Sequence, residues 1–360
     1  MSQRFLIMAG GTGGHVFPAL ATAEALREKG HEVAWLGSSG GMEADLIGGR
    51  DIPLYLIEVS GLRGKGGLTR LAAPVKLVRA LWQAVAVIRR FRPDCVLGMG
   101  GFAAGPGGLA AWLLRRPLVI HEQNAVAGMT NQWLSHLAEV TLEAFPGAYG
   151  SRTVTRCTGN PVRQDLTGLP APAERIGRGQ RLKLLVLGGS RGARAINEVV
   201  PEALASLATG EQPEVRHQCG RDHLDSTRKA YADAGLSADV VPFIGDMAEA
   251  YGWADLVVCR AGALTLAELA CIGVGSVLVP FPHAVDDHQT VNARHLSDAG
   301  AALLMPQSQL DAAGLAREIQ RLDDDRDALR TMAERARELA VPDATERVVN
   351  YCLEAAHGRA

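Results

Sequence analysis

Residues 4–28, RFLIMAGGTGGHVFPALATAEALRE, decide the fold class. Residues 4 to 9 form an apolar run of strand length, Gly10-Gly11-Thr12-Gly13-Gly14 form a turn, and Ala19, Leu20, Ala23 and Leu26 then recur at helical spacing. A strand, a glycine turn and a helix make the opening unit of a parallel sheet covered by helices. Further strands are expected near 32–36, 52–57, 95–98 and 118–121, with helices near 71–91 and 107–114 between them. Residues 182–200, LKLLVLGGSRGARAINEVV, then repeat the opening pattern, and the alternation resumes through strands near 214–218, 239–243, 255–258, 276–279 and 301–304. Two tandem α/β units, 1–163 and 164–341, fit this pattern better than one large sheet. The stretch LTGLPAPAERIGRGQ, 166–180, has no apolar period and reads as a linker. A last helix, about 342–357, is free by sequence to pack back on the first domain.

Composition narrows the function classes. With 37 Lys and Arg against 39 Asp and Glu, the net charge of -2 offers no global field for nucleic acid, so none is expected as a partner. The 6 Cys are scattered without a C-x-x-C pair, which suggests neither a zinc site nor a disulfide framework and fits a reducing, cytoplasmic setting. The apolar run after Arg4 is too short for a signal-peptide core, and no apolar stretch is long enough to span a bilayer.

A glycine-rich strand-to-helix turn points backbone N–H groups along the positive end of a helix dipole, where phosphate oxygens are best held. The nicotinamide and flavin reading fails, because neither turn has the full G-x-G-x-x-G/A pattern and no acid closes the strand at Leu36-Gly37-Ser38. A G-x-x-x-x-G-K-[ST] loop is also missing. A third glycine-dense loop, 98–108, is expected beside the first, and His121-Glu122-Gln123-Asn124 close an apolar strand at the sheet's carboxyl edge. His15 opens the first helix, where the dipole disfavours the imidazolium and suits a general base. Thr265 and Glu268 leave two readings open: a capping box, or a carboxylate on a helix's first turn that binds a ribose diol. His283, Asp286, Asp287 and His288 do not share a helix face, so hydroxyl binding is favoured over a metal.

Together, GGTGGHVFPAL, EADL, SGLRGKG, LGMGGFAAGPGG, HEQNAVAGMTN, GNPVR, GGSRGAR, CRAGALTLAEL, PFPHA-x-DDHQ and PDATERV resemble the MurG family of peptidoglycan glycosyltransferases, in order and over the whole chain. The resemblance implies a GT-B fold, two Rossmann-like domains facing across a cleft. It also implies inverting transfer of N-acetylglucosamine from its uridine diphosphate donor to the C4 hydroxyl of undecaprenyl-pyrophosphoryl-N-acetylmuramyl-pentapeptide. Another GT-B enzyme on a UDP-sugar, such as a lipid glycosyltransferase or an epimerase, is the alternative. By resemblance, Ser190 meets the donor diphosphate, Ile244 the uracil, Glu268 the ribose, and Ala263, Leu264, Thr265, Leu266 and Ala267 the phosphates. Gln289 and Asn124 hold the transferred sugar, Arg163 lies in the nucleotide site, Thr12, Gly13 and Gly14 complete the diphosphate environment, and His15 is the catalytic base. No metal or other cofactor is implied. The sequence departs from the family pattern at Arg191, where Gln is expected.

The resemblance places the chain at the cytoplasmic face of the bacterial plasma membrane as a peripheral protein. Residues 60–93 hold eight basic residues, Arg63, Lys65, Arg70, Lys76, Arg79, Arg89, Arg90 and Arg92, and no acid. Leu71, Val75, Val78, Leu81 and Trp82 fall on one helical stripe there, either facing the core or meeting an anionic leaflet.

Overall fold

A computed structural model describes residues 2–59, 73–177, 181–189, 192–284 and 287–358. The chain forms two compact units: Met1–Arg163 with Val341–Ala360, and Gln164–Ala340.

The first unit is a parallel sheet of β1 (Arg4–Met8), β2 (Glu32–Ser38), β3 (Leu54–Ile57), β4 (Cys95–Gly98), β5 (Leu118–Glu122), β6 (Val140–Glu143) and β7 (Arg156–Cys157). Its order is β3-β2-β1-β4-β5-β6-β7, so the direction of winding reverses between β1 and β4. β1 alternates with period two. Phe5 and Ile7 pack towards one set of helices and Leu6 and Met8 towards the other. The last helix, Ala344–His357, lies in the Phe5–Ile7 core through Val348, Val349 and Cys352.

The second unit contains β8 (Lys183–Leu187), β9 (Glu214–Gln218), β10 (Asp239–Val241), β11 (Leu256–Cys259), β12 (Gly275–Leu278) and β13 (Leu303–Leu304), in the parallel order β10-β9-β8-β11-β12-β13. Its reversal lies between β8 and β11. Each sheet has the same kind of fastening at the amino end of its first strand. The Asp94 carboxylate accepts from the Arg4 N–H at 2.8 Å, and Asp255 accepts from the Lys183 N–H at 2.9 Å.

One expectation needs correction, and one open alternative is decided. The 166–180 stretch is not a bare linker, since Gln164–Thr167 and Pro172–Arg175 are short helices with Leu166 and Pro172 buried. The Arg175 guanidinium donates to the carbonyls of Ala254 at 3.2 Å and Ile272 at 3.1 Å, capping the end of helix Ala263–Ile272. The helix Ala73–Phe91 turns Ala80, Ala84 and Ile88 to the core and leaves Val75, Val78 and Trp82 exposed. The predicted stripe is therefore largely an outward one, with Leu81 half-buried against the core. Leu71, Arg63, Lys65 and Arg70 lie outside the described residues. No helix among the described residues is long and apolar enough to cross a membrane.

Candidate active site

In open α/β sheets, ligands bind outside the carboxyl ends of the strands where the winding reverses. In the first unit that place is shared by the loops after β1 and β4. Thr12 is the N-cap of helix Gly13–Glu28, with extended backbone and no side-chain capping bond, and the first turn holds no acid. The Thr12 hydroxyl lies 3.4 Å from Nδ1 of His15. Gly100 and Gly101 both have positive φ, at 89° and 84°, and neither has room for a side chain. A Cβ on Gly100 would lie 2.8 Å from Cδ2 of His15, and one on Gly101 would collide with the backbone of Gly10. The glycine-dense loop thus closes against the first turn and packs on the imidazole edge.

Beneath this turn sits Glu43, wholly buried. Its carboxylate accepts from the Gly11 N–H at 3.2 Å and from the Ser38 N–H and hydroxyl at 2.7 and 2.8 Å. Glu122, at the end of β5, accepts from the N–H groups of Asn124 and Gly128 and from the side-chain amides of Asn124 and Asn131, at 2.8 to 3.1 Å. Glu143, at the end of β6, accepts from Gly147 N–H, Ala148 N–H and the Thr155 hydroxyl. Glu122 and Glu143 each fix the loop that leaves their own strand, and Glu43, at the start of the short helix Glu43–Ile47, fixes the turns that leave β1 and β2.

The 121–124 stretch divides. His121 is buried, its Nε2 lies 3.0 Å from the Gly159 carbonyl, and burial pushes its pKa down to about 4. Gln123 is buried and contacts Nδ1 of His121 at 3.2 Å. His121, Glu122 and Gln123 therefore shape the edge from within, and Asn124 alone is half-exposed. Arg163, the last residue of this unit's first segment, is half-buried.

In the second unit the turn after β8 is equally tight. Gly189 and Gly192 have φ of 77° and 74°, and a Cβ on Gly192 would collide with the Cys219 carbonyl. Ser190 and Arg191 lie outside the described residues, as do Val285 and Asp286. Behind the turn the polar groups are neutral. The Asn197 amide donates to the Cys219 carbonyl at 2.9 Å and its oxygen lies 3.0 Å from Nε2 of His217, while Nδ1 of His217 is 3.0 Å from the Tyr231 hydroxyl. Burial pushes His217 down to about 3 and leaves it uncharged at neutral pH.

After β11, Gly262 is the N-cap of helix Ala263–Ile272, without a side-chain capping bond or an acid in the first turn. The capping-box reading is overturned, because Thr265 lies inside the helix, and Glu268 stands on its second turn, not its first. The Tyr251 hydroxyl donates to Oε2 of Glu268 at 3.0 Å. The Ile244 N–H is engaged by the Gln218 side-chain oxygen at 3.1 Å. Gln289, near the start of helix His288–Ser297, accepts from the Phe281 N–H at 2.9 Å. Arg260 fastens the neighbouring loop through the carbonyls of Val279 and Pro280, both at 3.2 Å. Among the described residues, no three His, Cys, Asp or Glu gather in a metal-binding arrangement.

In the second unit, the helices at the reversal point differ from those that follow the edge strands. Helices Gly13–Glu28, Arg194–Ala205 and Ala263–Ile272 start with neither a side-chain cap nor an acid. Helices Met247–Trp253 and Ala312–Asp324, which follow β10 and β13, are capped by Asp246 and Asp311. Uncapped amides at the reversal points remain available to an anion.

Residues 5–142 match the glycosyltransferase family 28 N-terminal domain and residues 183–348 match the glycosyltransferase family 28 C-terminal domain. A UDP-N-acetylglucosamine–N-acetylmuramyl-(pentapeptide) pyrophosphoryl-undecaprenol N-acetylglucosamine transferase of Marinobacter nauticus is 62% identical, over 99% of this chain and 98% of the relative. The relative of the same description from Hahella chejuensis is 56% identical over 98% of both chains. The crystal structure of Acinetobacter baumannii MurG is 43% identical, covers 98% of this chain and 99% of its own, and superposes with a TM-score of 0.84.

Proposed function

The chain belongs to glycosyltransferase family 28, within its MurG transferases, and from that membership we infer the reaction and the roles of its residues. It transfers N-acetylglucosamine from UDP-N-acetylglucosamine to the C4 hydroxyl of the muramyl pentapeptide carried on pyrophosphoryl-undecaprenol, turning lipid I into lipid II in peptidoglycan synthesis. The configuration at the anomeric carbon inverts. The acceptor oxygen attacks that carbon as the bond to the diphosphate breaks, its proton passes to a base, and negative charge accumulates on the departing UDP.

The second unit holds the donor. The observation that carries this reading is the acid-free, uncapped start of helix Ala263–Ile272 with a carboxylate one turn further on. Amides of Ala263, Leu264 and Thr265 meet the diphosphate, and the growing charge of the leaving group strengthens those bonds in the transition state. Leu266 and Ala267 complete that helical wall, and by family resemblance Ser190 meets the donor diphosphate. Glu268, steadied by Tyr251, accepts from the ribose hydroxyls. With its N–H held by Gln218, Ile244 meets the uracil through its carbonyl. The Gln289 oxygen is bound to Phe281 N–H, so its amide hydrogens face the sugar hydroxyls. Arg163 belongs to the nucleotide environment and Asn124 to the transferred sugar.

The first unit holds the acceptor. His15, with Nδ1 towards the Thr12 hydroxyl, takes the C4 proton on Nε2. Thr12, Gly13 and Gly14 face diphosphate oxygens. The leaving-group charge is met by amides, so chelators should leave turnover unchanged. The test is transfer of labelled N-acetylglucosamine to a polyprenyl-pyrophosphoryl muramyl peptide. Hydrolysis or epimerisation of the donor without transfer would overturn the reading.

The protein works at the cytoplasmic face of the plasma membrane as a peripheral protein. The first unit supports this with Val75, Val78 and Trp82, 71%, 54% and 67% exposed, beside Lys76, Arg79, Arg89 and Arg90. Exposed Trp112 and Leu113 lie on the helix packed against that one. Each basic residue near an anionic leaflet adds about 1 kcal/mol, screened by salt. Vesicles with anionic lipid should retain the protein at low salt and release it at high salt. Replacing Arg70, Lys76 and Arg79 by Glu should weaken retention, and retention indifferent to both would place the contact on another face.

A further inference from the structure

Glu43 is 0% exposed, and a buried carboxylate is costly even when it is hydrogen-bonded. The chain leaves room for it at three places. A Cβ on Gly10, Gly37 or Gly41 would run into the Glu43 side chain. None of the three has the left-handed backbone that calls for glycine, so the carboxylate itself, rather than the path of the chain, explains them. An apolar side chain would fill the same space without the desolvation cost.

What the carboxylate supplies is an acceptor for the Gly11 N–H, at the residue with φ of 91° where β1 turns into the helix. Thr12 follows directly. Its carbonyl accepts from the N–H groups of His15 and Val16 at 3.0 and 3.1 Å, and its hydroxyl faces Nδ1 of His15. On the far side Gly100 admits the imidazole edge and nothing larger. The chain of contacts runs from Glu43 through Gly11 and Thr12 to the ring. We propose that Glu43 is a positioning residue for the transfer reaction, holding the β1 turn so that His15 presents its imidazole to the acceptor hydroxyl. This rests on the reading of His15 as the base.

The experiment is a double-mutant cycle on the full-length protein. Glu43→Gln keeps the shape but replaces one accepting oxygen by an NH2 group that cannot receive an N–H. It should lower kcat roughly tenfold to a hundredfold, the scale of a displaced catalytic group, with the donor KM within about twofold. The pH profile of kcat should lose part of its His15 limb. In the His15→Ala background, Glu43→Gln should cost nothing further. Gly41→Ala should reproduce the loss by displacing the carboxylate, yet add nothing to Glu43→Ala, where the clash is gone. UDP affinity by calorimetry, carried mainly by the second unit, should change by no more than about twofold throughout. Equal losses from Glu43→Gln with and without His15 would overturn the proposal and leave the base in place. A nearly normal His15→Ala enzyme would remove the base and the proposal together.

Discussion

The two glycine turns occupy the same position in two sheets of the same order, yet they rest on opposite electrostatic footings. The turn after β1 lies on the buried carboxylate of Glu43, with Glu122 and Glu143 at the ends of β5 and β6. The turn after β8 is backed by Asn197, His217 and Gln218, all neutral. A buried negative charge raises the free energy of a nearby phosphate dianion and lowers that of a nearby cation. A neutral footing therefore suits a turn that, on the proposed reading, holds a nucleoside diphosphate. A carboxylate footing suits a turn whose histidine becomes positively charged as it takes a proton, although it raises the energy of diphosphate oxygens beside Thr12, Gly13 and Gly14, which the N–H groups of that helix start must offset. Topology fixes where a ligand sits, and the residues one layer down fix its charge.

The largest test of this division is His15→Ala. Loss of general-base assistance should lower turnover by about 10²–10⁴-fold while calorimetry finds UDP affinity unaltered. A fall in UDP affinity of similar size would erase the contrast between the turns. Next in size, Glu268→Ala should weaken UDP binding by about 1.5–3 kcal/mol, the range for hydrogen bonds to a charged group. Unchanged affinity would reduce Glu268 to a partner of Tyr251.

A smaller effect addresses the footing itself. Gln218→Glu keeps the acceptor for the Ile244 N–H but places a carboxyl group there, on the residue whose backbone carbonyl accepts from the Gly188 N–H of the turn. A charge about 8 Å from a phosphate would, at an effective dielectric of 20, oppose it by about 2 kcal/mol, so UDP affinity should fall roughly tenfold or more at neutral pH. The loss should shrink on acidification as that carboxyl takes up a proton. Affinity independent of pH in this variant would show that charge beneath the turn is unimportant.

The smallest effect on catalysis concerns stability. His121 and His217 are buried with pKa values of about 4 and about 3, below the ordinary 6.5. Their folded pKa values are depressed, so the unfolded chain binds more protons below pH 6.5. Stability should thus be complete above that pH and fall as pH drops towards 4, by up to about 1.4 kcal/mol per pH unit for each histidine. His217→Gln should flatten its share of the slope in the second unit and leave that of the first. Thermal unfolding between pH 7.5 and 5 checks both.

Much of this was legible in the chain because it is local. The apolar run, glycine turn and helical period of residues 4–28 lie within one window, and 182–200 repeat them. The footing was hidden because it is not local. Glu43 serves Gly10, Gly11 and Gly37 across more than one strand, and nothing in the spelling of EADL says that the glycines are vacant for it. HEQN could be placed at the sheet edge, but not that three of its four side chains turn inward to hold the next loops. Thr265 and Glu268 have the spacing of a cap, and only the helix start at Ala263 removes that role. The outward stripe at Val75, Val78 and Trp82 had a signal in the small residues Ala80 and Ala84, which let the opposite face approach the sheet. The short helices of 164–175 were obscured by Pro and Gly, which mark turns more strongly than one buried Leu marks a core.

The return of helix Ala344–His357 to the first sheet has a consequence for biosynthesis. Val348, Val349 and Cys352 complete the core beneath Phe5 and Ile7, although Gln164–Ala340 are translated in between. A ribosome adding roughly 5–20 residues per second would release all of the second unit before the first has its last helix. The half that is made first is finished last, and its apolar helix bed stays uncovered while the second unit folds. On the proposed division of substrates, a stalled or truncated chain would then carry a folded second unit able to hold the donor beside a first unit not yet fit to present the acceptor.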